Sequence, residues 1–240
     1  MYAKEFQSIV ERRRSNRKFD PEVNVPEDVV RRSLERTLLS PNSSNMQLWE
    51  FYWIHTEEEK KKMIPLCLSQ SAAKTAKEFV VFVTRRDLWR ERARWNRDRI
   101  REAYEQQPPV LQKKGMLYYG KVMPLLYARD ILGVLAFFRR CTSFFGGLFK
   151  PFMRFGGKAD QRVIVHKSCA LAAQTFMLSI AAEGFDTCPM EGIDAYRLRK
   201  YLRLPYGAEI NMVIAIGKGT ARGIWGPRFR VPYEEVVFVR

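Results

Sequence analysis

The sequence predicts a single domain that mixes α-helices with β-strands, and three observations support this. Helical segments with apolar residues three or four apart alternate with short runs rich in β-branched and aromatic residues, such as WEFYWI at 49–54 and FVVFVT at 79–84. No internal repeat or linker divides the 240 residues. With 46% hydrophobic residues, the chain can bury one sizeable core. The pattern alone leaves open whether the strands run parallel.

Several helices are predicted around these strands. The first covers about 4–14, and the second starts at Pro26, which suits a first-turn position, and ends at the turn residues SPNSSN. From about 163 to 183 the chain is apolar on nearly every face, which predicts a buried helix stopped by Gly184. Asp194 is the expected N-cap of the helix DAYRLRKYL. Two further strands, FDTCP and INMVIAIG, and a final extended segment in GPRFRVPYEEVVF complete the pattern.

Residues 85–160 differ in character from the rest of the chain. The run at 85–101 holds eight arginines and three acidic residues, which predicts a solvated helix. Beyond it, 120–157 mixes Phe, Leu and Gly with Lys and Arg. Three interpretations of this second part stay open: a lid over an apolar pocket, an interfacial segment on an anionic membrane, or extra packing at a dimer interface.

The balance of charge indicates an anionic partner. The chain has 42 Lys and Arg against 26 Asp and Glu, a formal charge of +16. A nucleic acid, an acidic lipid surface or a phosphorylated ligand would each complement that charge. The longest apolar run tested as a membrane span, ILGVLAFF at 131–138, is too short and is followed by two arginines.

The cysteines and histidines argue against several kinds of site. The four cysteines have no CxxC spacing and His55 and His166 are the only histidines, so neither a structural zinc site nor a disulfide framework is predicted. Cys169 and Cys188 lie in apolar runs, which favours small core residues. The N-terminus lacks the apolar core of a signal peptide, so we expect a cytoplasmic protein.

Four short stretches carry the candidate chemistry, and each has a structural alternative. ERRRSNRKF offers forked, permanently charged arginines to a phosphate, or is a solvated basic face. SPNSSNMQLW offers amides and hydroxyls to a polar ligand edge, or is a helix stop. PMEG at 189–192 joins a stiff proline to a glycine that lets backbone approach a flavin ring, or ends a strand. PRFRVP would point Arg228 and Arg230 the same way in an extended segment, toward a phosphate or along an edge strand.

In this order and spacing, the four stretches resemble the FMN-dependent nitroreductase family over about residues 5–54 and 163–236. The resemblance implies an α+β fold, a three-layer α-β-α sandwich with a mixed or antiparallel central sheet. It also implies a homodimer with two FMN sites at its interface. The chain is then one domain, 1–240, with an insertion or lid at about 85–160 that matches the family little. A second departure is Leu48, where the family usually has proline.

The resemblance also assigns roles to the candidate residues. One group would hold the phosphate and ribityl chain of FMN: Arg13, Arg14, Ser15 and Arg230. A second would lie near the phosphate or the polar edge of the ring: Arg17 and Arg228. A third would come from the other subunit: Pro41, Asn42, Ser43 and Asn45. The last would line one face of the ring, with the backbone N–H groups of its final two members facing N5: Pro189, Met190, Glu191 and Gly192.

The implied activity is electron transfer from NADH or NADPH to an electron-poor acceptor, such as a nitroaromatic or a quinone, by a ping-pong mechanism. No side chain is expected to act as acid or base, because the hydride chemistry belongs to the flavin. Neither a metal nor a nucleic acid is expected. The resemblance leaves one contact open, that to the pyrimidine edge of the ring, for which Gln70 and Lys74 are candidates.

Two alternative functions stay open at this point. An FMN enzyme of the same fold could perform reductive dehalogenation, flavin degradation, or enone or quinone reduction at a membrane surface. A basic nucleic-acid-binding protein is the alternative from another class, suggested by the charge of +16 and the arginines of 85–101. The sequence contains no helix-turn-helix, zinc or RNA-binding signature.

Overall fold

A computed structural model describes residues 1–105, 109–128, 132–154 and 157–240. The strands within these ranges are β1 (Trp49–Ile54), β2 (Glu78–Arg85), β3 (Asp186–Met190) and β4 (Ala208–Gly217). The helices are α1 (Ala3–Arg12), α2 (Glu27–Leu38), α3 (Glu57–Leu66), α4 (Ser71–Thr75), α5 (Trp89–Ala103), α6 (Pro109–Leu117), α7 (Met123–Tyr127), α8 (Val134–Phe149), α9 (Lys158–Ala182), α10 (Ala195–Tyr201) and α11 (Tyr233–Val236). A π-helical turn, Tyr118–Val122, connects α6 to α7.

The four strands form one antiparallel sheet in the order β1-β2-β4-β3. All four predicted strands are present, and the described sheet is antiparallel rather than mixed. β2 is buried on both faces because its residues alternate between two apolar clusters. Phe79, Val81 and Val83 face one cluster, and Val80 and Phe82 face the other.

The helices form a layer on each face of the sheet. α2 and α9 cover the face of Val80, where Cys169 and Phe176 are fully buried. α3, α4 and α10 cover the other face, where Cys188 and Leu198 are buried. The three-layer α-β-α arrangement is therefore confirmed, and both cysteines are core residues as expected.

α9 is the central helix of the fold. By length and composition alone it could cross a membrane. However, its buried side chains pack against the sheet and α2, as in the core helix of a globular domain. It begins at Lys158 rather than near 163, because Asp160 accepts a hydrogen bond from the N–H of Gly157. Gly184, with a φ of +87°, stops the helix as predicted.

Other predictions at helix ends need correction. α1 stops at Arg12, because Arg13 is already extended. Pro26 is the N-cap of α2 rather than a residue of its first turn. The predicted extended segment at the end of the chain contains a short helix, α11, whose first turn carries two glutamates that favour a helix start. The predicted solvated helix is confirmed in α5, where only Ala93 and Asn96 are buried.

An ion-pair network joins α2 to the end of α9. Glu183 accepts hydrogen bonds from Arg32 at 2.9 Å and Arg36 at 2.6 Å. The hydrogen bond from Arg32, followed by that from Arg36, lowers the pKa of Glu183 to about 2. Arg36 also donates to the hydroxyl of Ser179, which in turn bonds that of Ser33. The network therefore ties two helices of one layer together at their exposed rim.

This network makes stability depend on acid pH. Because the folded pKa of Glu183 is depressed, its stabilising effect is present above about pH 4.5 and is lost as the pH falls toward about 2. We expect the free energy of unfolding to fall more steeply across this interval in the wild type than in Glu183→Gln. Urea unfolding at stepped pH values measures this, with the exposed Glu5→Gln as matched control. Parallel curves for wild type and Glu183→Gln would contradict the prediction.

Candidate functional site

The segment that follows α1 lies along the outer edge of β3. Ser15 pairs with Thr187 in a parallel bridge, and the N–H of Asn16 donates to the carbonyl of Thr187 at 3.0 Å. The N–H of Arg17 donates to the carbonyl of Gly223 at 2.8 Å. These backbone bonds hold the arginine-rich motif between an edge strand and the loop that follows β4.

Asn16 fixes this segment and is a residue that the sequence analysis did not single out. It is only 2% exposed although it stands between charged residues. Its amide donates to the carbonyl of Thr220 at 3.0 Å and accepts from the N–H of Lys18 at 3.1 Å. Gly219 and Gly223 leave room for its side chain, since a Cβ at either position would overlap it.

Four arginines converge beside the segment that Asn16 fixes. Partial burial lowers the pKa of Arg13, and the nearby charges of Arg228, Arg230 and Arg14 lower it further. Arg228 is held by the carbonyls of Glu11 and Arg13, each at 2.8 Å, and Arg14 donates to the carbonyl of Gly226 at 2.9 Å. Like charges gathered in this way repel one another, and an anion with several oxygens would offset that repulsion.

Arg17 lies apart from those four residues. Its guanidinium stacks on the ring of Trp225, 4.4 Å from the centroid, and its charge acts on Cys188 in β3. Arg230 donates to the carbonyl of Phe229. No strand forms at 227–232, so the alternative in which Arg228 and Arg230 lie along an edge strand does not hold.

The PMEG stretch ends β3. Met190 is 2% exposed and its side chain packs into the core, so only its backbone can line a ligand. Glu191 and Gly192 are exposed, and their N–H groups have no acceptor among the described residues. Pro189 is half-buried on the opposite side of the strand from Met190.

Gln70 is the better of the two candidates for the ring edge. Its side-chain amide donates to the carbonyl of Gly192 at 2.6 Å and to that of Cys67 at 3.1 Å. The structure therefore places it directly beside the end of the PMEG stretch. Lys74 is an exposed residue of α4, and no such contact is found for it within the described chain.

The loop at 41–47 lies at the opposite edge of the sheet, before β1. Its hydrogen bonds lead away from the arginines: Ser43 donates its N–H to Ser168 in α9, and Asn45 and Asn96 of α5 exchange two bonds. Asn42 caps the loop by accepting the N–H of Gln47 at 2.8 Å. Three interstrand spacings, about 14 Å, separate β1 from β3. The 41–45 set therefore lies at the opposite edge of the sheet from the arginine set.

Leu48 has a packing role in place of the family's proline. It is 3% exposed and belongs to a cluster with Ala93, Met123 and Tyr127. Leu48 therefore packs the end of the 41–47 loop against α5 and α7. Within the described residues, no group of three His, Cys, Asp or Glu is arranged to hold a metal ion.

The site residues fit a flavin mononucleotide. Four cations gather at one end, near Ser15, where a dianionic phosphate would be held. Backbone donors at Glu191 and Gly192 lie four to five strand residues from Thr187, about 14 Å, a span that an extended nucleotide can cover. A rigid edge strand connects the two ends of this candidate site.

Known proteins are similar to this chain over most of its length. The nitroreductase family matches residues 10–218. DrgA of Synechocystis is 27% identical over 208 residues, which cover 87% of this chain and 81% of DrgA. MhqN of Bacillus subtilis, which carries a provisional NAD(P)H nitroreductase name, is 23% identical over 97% of this chain and 98% of its own length.

Solved structures show the same fold. A provisionally assigned nitroreductase of Exiguobacterium sibiricum, solved in complex with FMN, superposes with a TM-score of 0.68 at 20% identity, covering 98% of this chain and 97% of the other. Together these matches confirm the resemblance drawn from the four stretches. The chain belongs to the nitroreductase family.

Proposed function

We propose that this protein is an FMN-dependent oxidoreductase that takes electrons from NADH or NADPH and passes them to an electron-poor acceptor. The observation that carries the proposal is the cluster of Arg13, Arg14, Arg228 and Arg230 beside the edge strand β3. Membership of the nitroreductase family and the FMN complex of the Exiguobacterium structure support the cofactor. The acceptor class is a nitroaromatic, a quinone or a similar compound.

The chain's own residues would bind and orient the cofactor. The arginine cluster and Ser15 would hold the phosphate, and the free N–H groups of Glu191 and Gly192 would face the ring. Gln70 would hold the Gly192 carbonyl away from the ring edge. When bound, FMN supplies hydride and electron transfer, with the donor leaving before the acceptor binds in a ping-pong scheme.

We further propose that the site is completed by a second copy of the chain. The 41–45 set stands at the opposite sheet edge from the arginines, and its hydrogen bonds lead to α5 and α9 instead of toward them. The segment 227–240 leaves several apolar side chains exposed, among them Phe229 at 80% and Phe238 at 71%. An exposed apolar segment of this kind is typical of a region that packs against another chain.

The visible spectrum tests the cofactor and the donor. We expect the purified protein, with FMN added if it is colourless, to retain flavin bands after gel filtration. NADH or NADPH added without oxygen should bleach these bands, and the acceptor should restore them. Bound flavin that neither donor bleaches would contradict the oxidoreductase, and failure to bind flavin at all would contradict the site.

Mixed dimers test the two-chain site. Arg13→Ala removes a cation at one edge, and Ser43→Trp adds bulk at an exposed position of the other. Each variant alone should bind little FMN, whereas refolding the two together should restore up to one site per mixed dimer. If mixing restores no flavin while light scattering shows mixed dimers, the two sets of residues do not share a site.

A further inference from the structure

Helix α8 is amphipathic, but its apolar face points away from the rest of the chain. The face toward the rest of the chain holds small or polar residues: Ala136, Arg139, Ser143, Gly146 and Gly147. At helical spacing, the face away from it is formed by apolar residues and one cysteine: Val134, Phe137, Cys141, Phe144, Phe145, Leu148 and Phe149. Leu135 and Phe138 instead border a cavity that they share with Leu125, Leu126 and Phe152. An ordinary surface helix has the reverse arrangement.

Packing fixes this orientation. The hydroxyl of Ser143 donates to the carbonyl of Met153 at 3.1 Å, and Arg154 donates to the carbonyl of Gly147 at 3.1 Å. The ring of Phe152 lies against Gly146, where a Cβ would come within 2.9 Å of it. Because the segment 152–154 crosses the helix at its smallest residues, the phenylalanines cannot turn inward without breaking these contacts.

The outward face is strongly exposed. Phe149 is 88% exposed, Phe137 is 64% and Phe145 is 60%. Phe144 and Leu148, at 55% and 59% exposure, lie on the same face at helical spacing. A surface of this kind marks an interaction site.

The charge around α8 indicates what covers it. The described segments 109–128 and 132–154 contain seven Lys or Arg and no Asp or Glu. Packing two copies of this region together would bring like-charged segments, neither with an acidic residue, close to each other, and these repel. An anionic bilayer instead offers negative headgroups to the cations and acyl chains to the phenylalanines.

We propose that α8 docks on the surface of an anionic phospholipid bilayer. Its 16 residues are about 24 Å long, shorter than the roughly 30 Å hydrocarbon core, so the helix lies in the interface instead of crossing it. The apolar face enters the headgroup boundary, and Arg140 and Lys150 beside it meet the headgroups. Docking is measured by flotation and flavin binding by the visible spectrum, so the two are read out independently.

Flotation with vesicles tests the proposal. The probe is phosphatidylcholine vesicles with about 30% phosphatidylglycerol at about 50 mM salt, compared with pure phosphatidylcholine. The full-length protein should bind the anionic vesicles, and Phe144→Gln/Phe145→Gln should weaken that binding about tenfold or more. Tyr206→Gln, which replaces a 97% exposed aromatic residue elsewhere, is the matched control and should bind as the wild type does.

The flotation results distinguish docking on a bilayer from contact with a second copy. Binding that falls with the α8 variant and with added salt supports the proposal. No binding of the wild type to anionic vesicles at low salt overturns it, as does equal binding by wild type and α8 variant. If the variant instead changes the oligomeric mass and not vesicle binding, α8 contacts a second copy and the bilayer is excluded. Flavin content and thermal unfolding, measured on the same samples, show whether the variant is folded.

Discussion

Replacing Arg13 with alanine is expected to weaken FMN binding about 30-fold while leaving the FMN-free protein at least as stable. Arg13 is partly buried, and the charges of Arg14, Arg228 and Arg230 act on it. Losing one charged hydrogen bond to a phosphate costs about 2 kcal/mol, which corresponds to about 30-fold in the dissociation constant. Without a phosphate, removing one of four like charges relieves repulsion.

Two measurements on the same variant separate a binding role from a structural one. Flavin fluorescence titration gives the affinity, and thermal unfolding of the FMN-free protein gives its stability. Arg31→Ala, on the exposed side of α2, is the matched control for loss of an arginine. A fall in the Tm of FMN-free Arg13→Ala without loss of FMN affinity would show that Arg13 supports the fold and not the ligand.

Added salt sharpens the distinction. An arginine cluster that binds a dianion loses affinity as ionic strength rises, because the interaction is screened. We expect the affinity of Arg13→Ala to depend less on salt than that of the wild type, since one charge of the cluster is gone. Equal salt dependence in the two proteins would place the phosphate elsewhere.

The elements predicted well from sequence are those whose signal is local. β2 and β4 each contain a continuous apolar run, at 79–83 and 213–216, whose residues are buried on both faces of the sheet. Asp194 accepts from the N–H of Arg197 as an N-cap should, and Gly184 has the positive φ of a helix stop. In these cases neighbouring residues alone determine the conformation.

The features that sequence reasoning missed depend on distant partners. Asn16 is buried because Gly219 and Gly223, about 200 residues away, leave space for its side chain. Arg228 is held by carbonyls at the end of α1 instead of by a strand. The inward and outward faces of α8 are reversed because 152–154 packs on its glycines. None of these contacts has a local signature in the sequence.

In the candidate site, too, some features could be predicted from sequence and others could not. Basic and glycine-containing motifs could be found in the sequence, and their order pointed to the family. Their arrangement on the sheet could not, because residues 13–17 meet β3 through long-range backbone contacts of Ser15 and Asn16 with Thr187. The separation of 41–45 from the arginines follows from the strand order, in which two strands stand between β1 and β3. Strand order is a property of the whole chain.

Gly223→Ala is expected to disrupt the candidate site by steric overlap alone. A Cβ at position 223 would overlap the side chain of Asn16 and lie 2.7 Å from the backbone nitrogen of Lys18. Relieving that overlap must move the segment 13–17, which carries Arg13 and the bridge to β3. We expect a loss of about 2–3 kcal/mol in the free energy of unfolding, the scale of overpacking in a closed site, together with weaker FMN binding.

A double-mutant cycle tests the cause. In Asn16→Ala/Gly223→Ala the side chain that the new Cβ meets is absent, so the pair should be less destabilised than the sum of the single variants. The clash with the Lys18 nitrogen remains, and the rescue should therefore be partial. Gly120→Ala is the matched control, because a Cβ there meets nothing within 4 Å. Strictly additive losses in the free energy of unfolding would mean that Gly223 acts independently of Asn16. The contact between these two residues would then not be what positions the arginines.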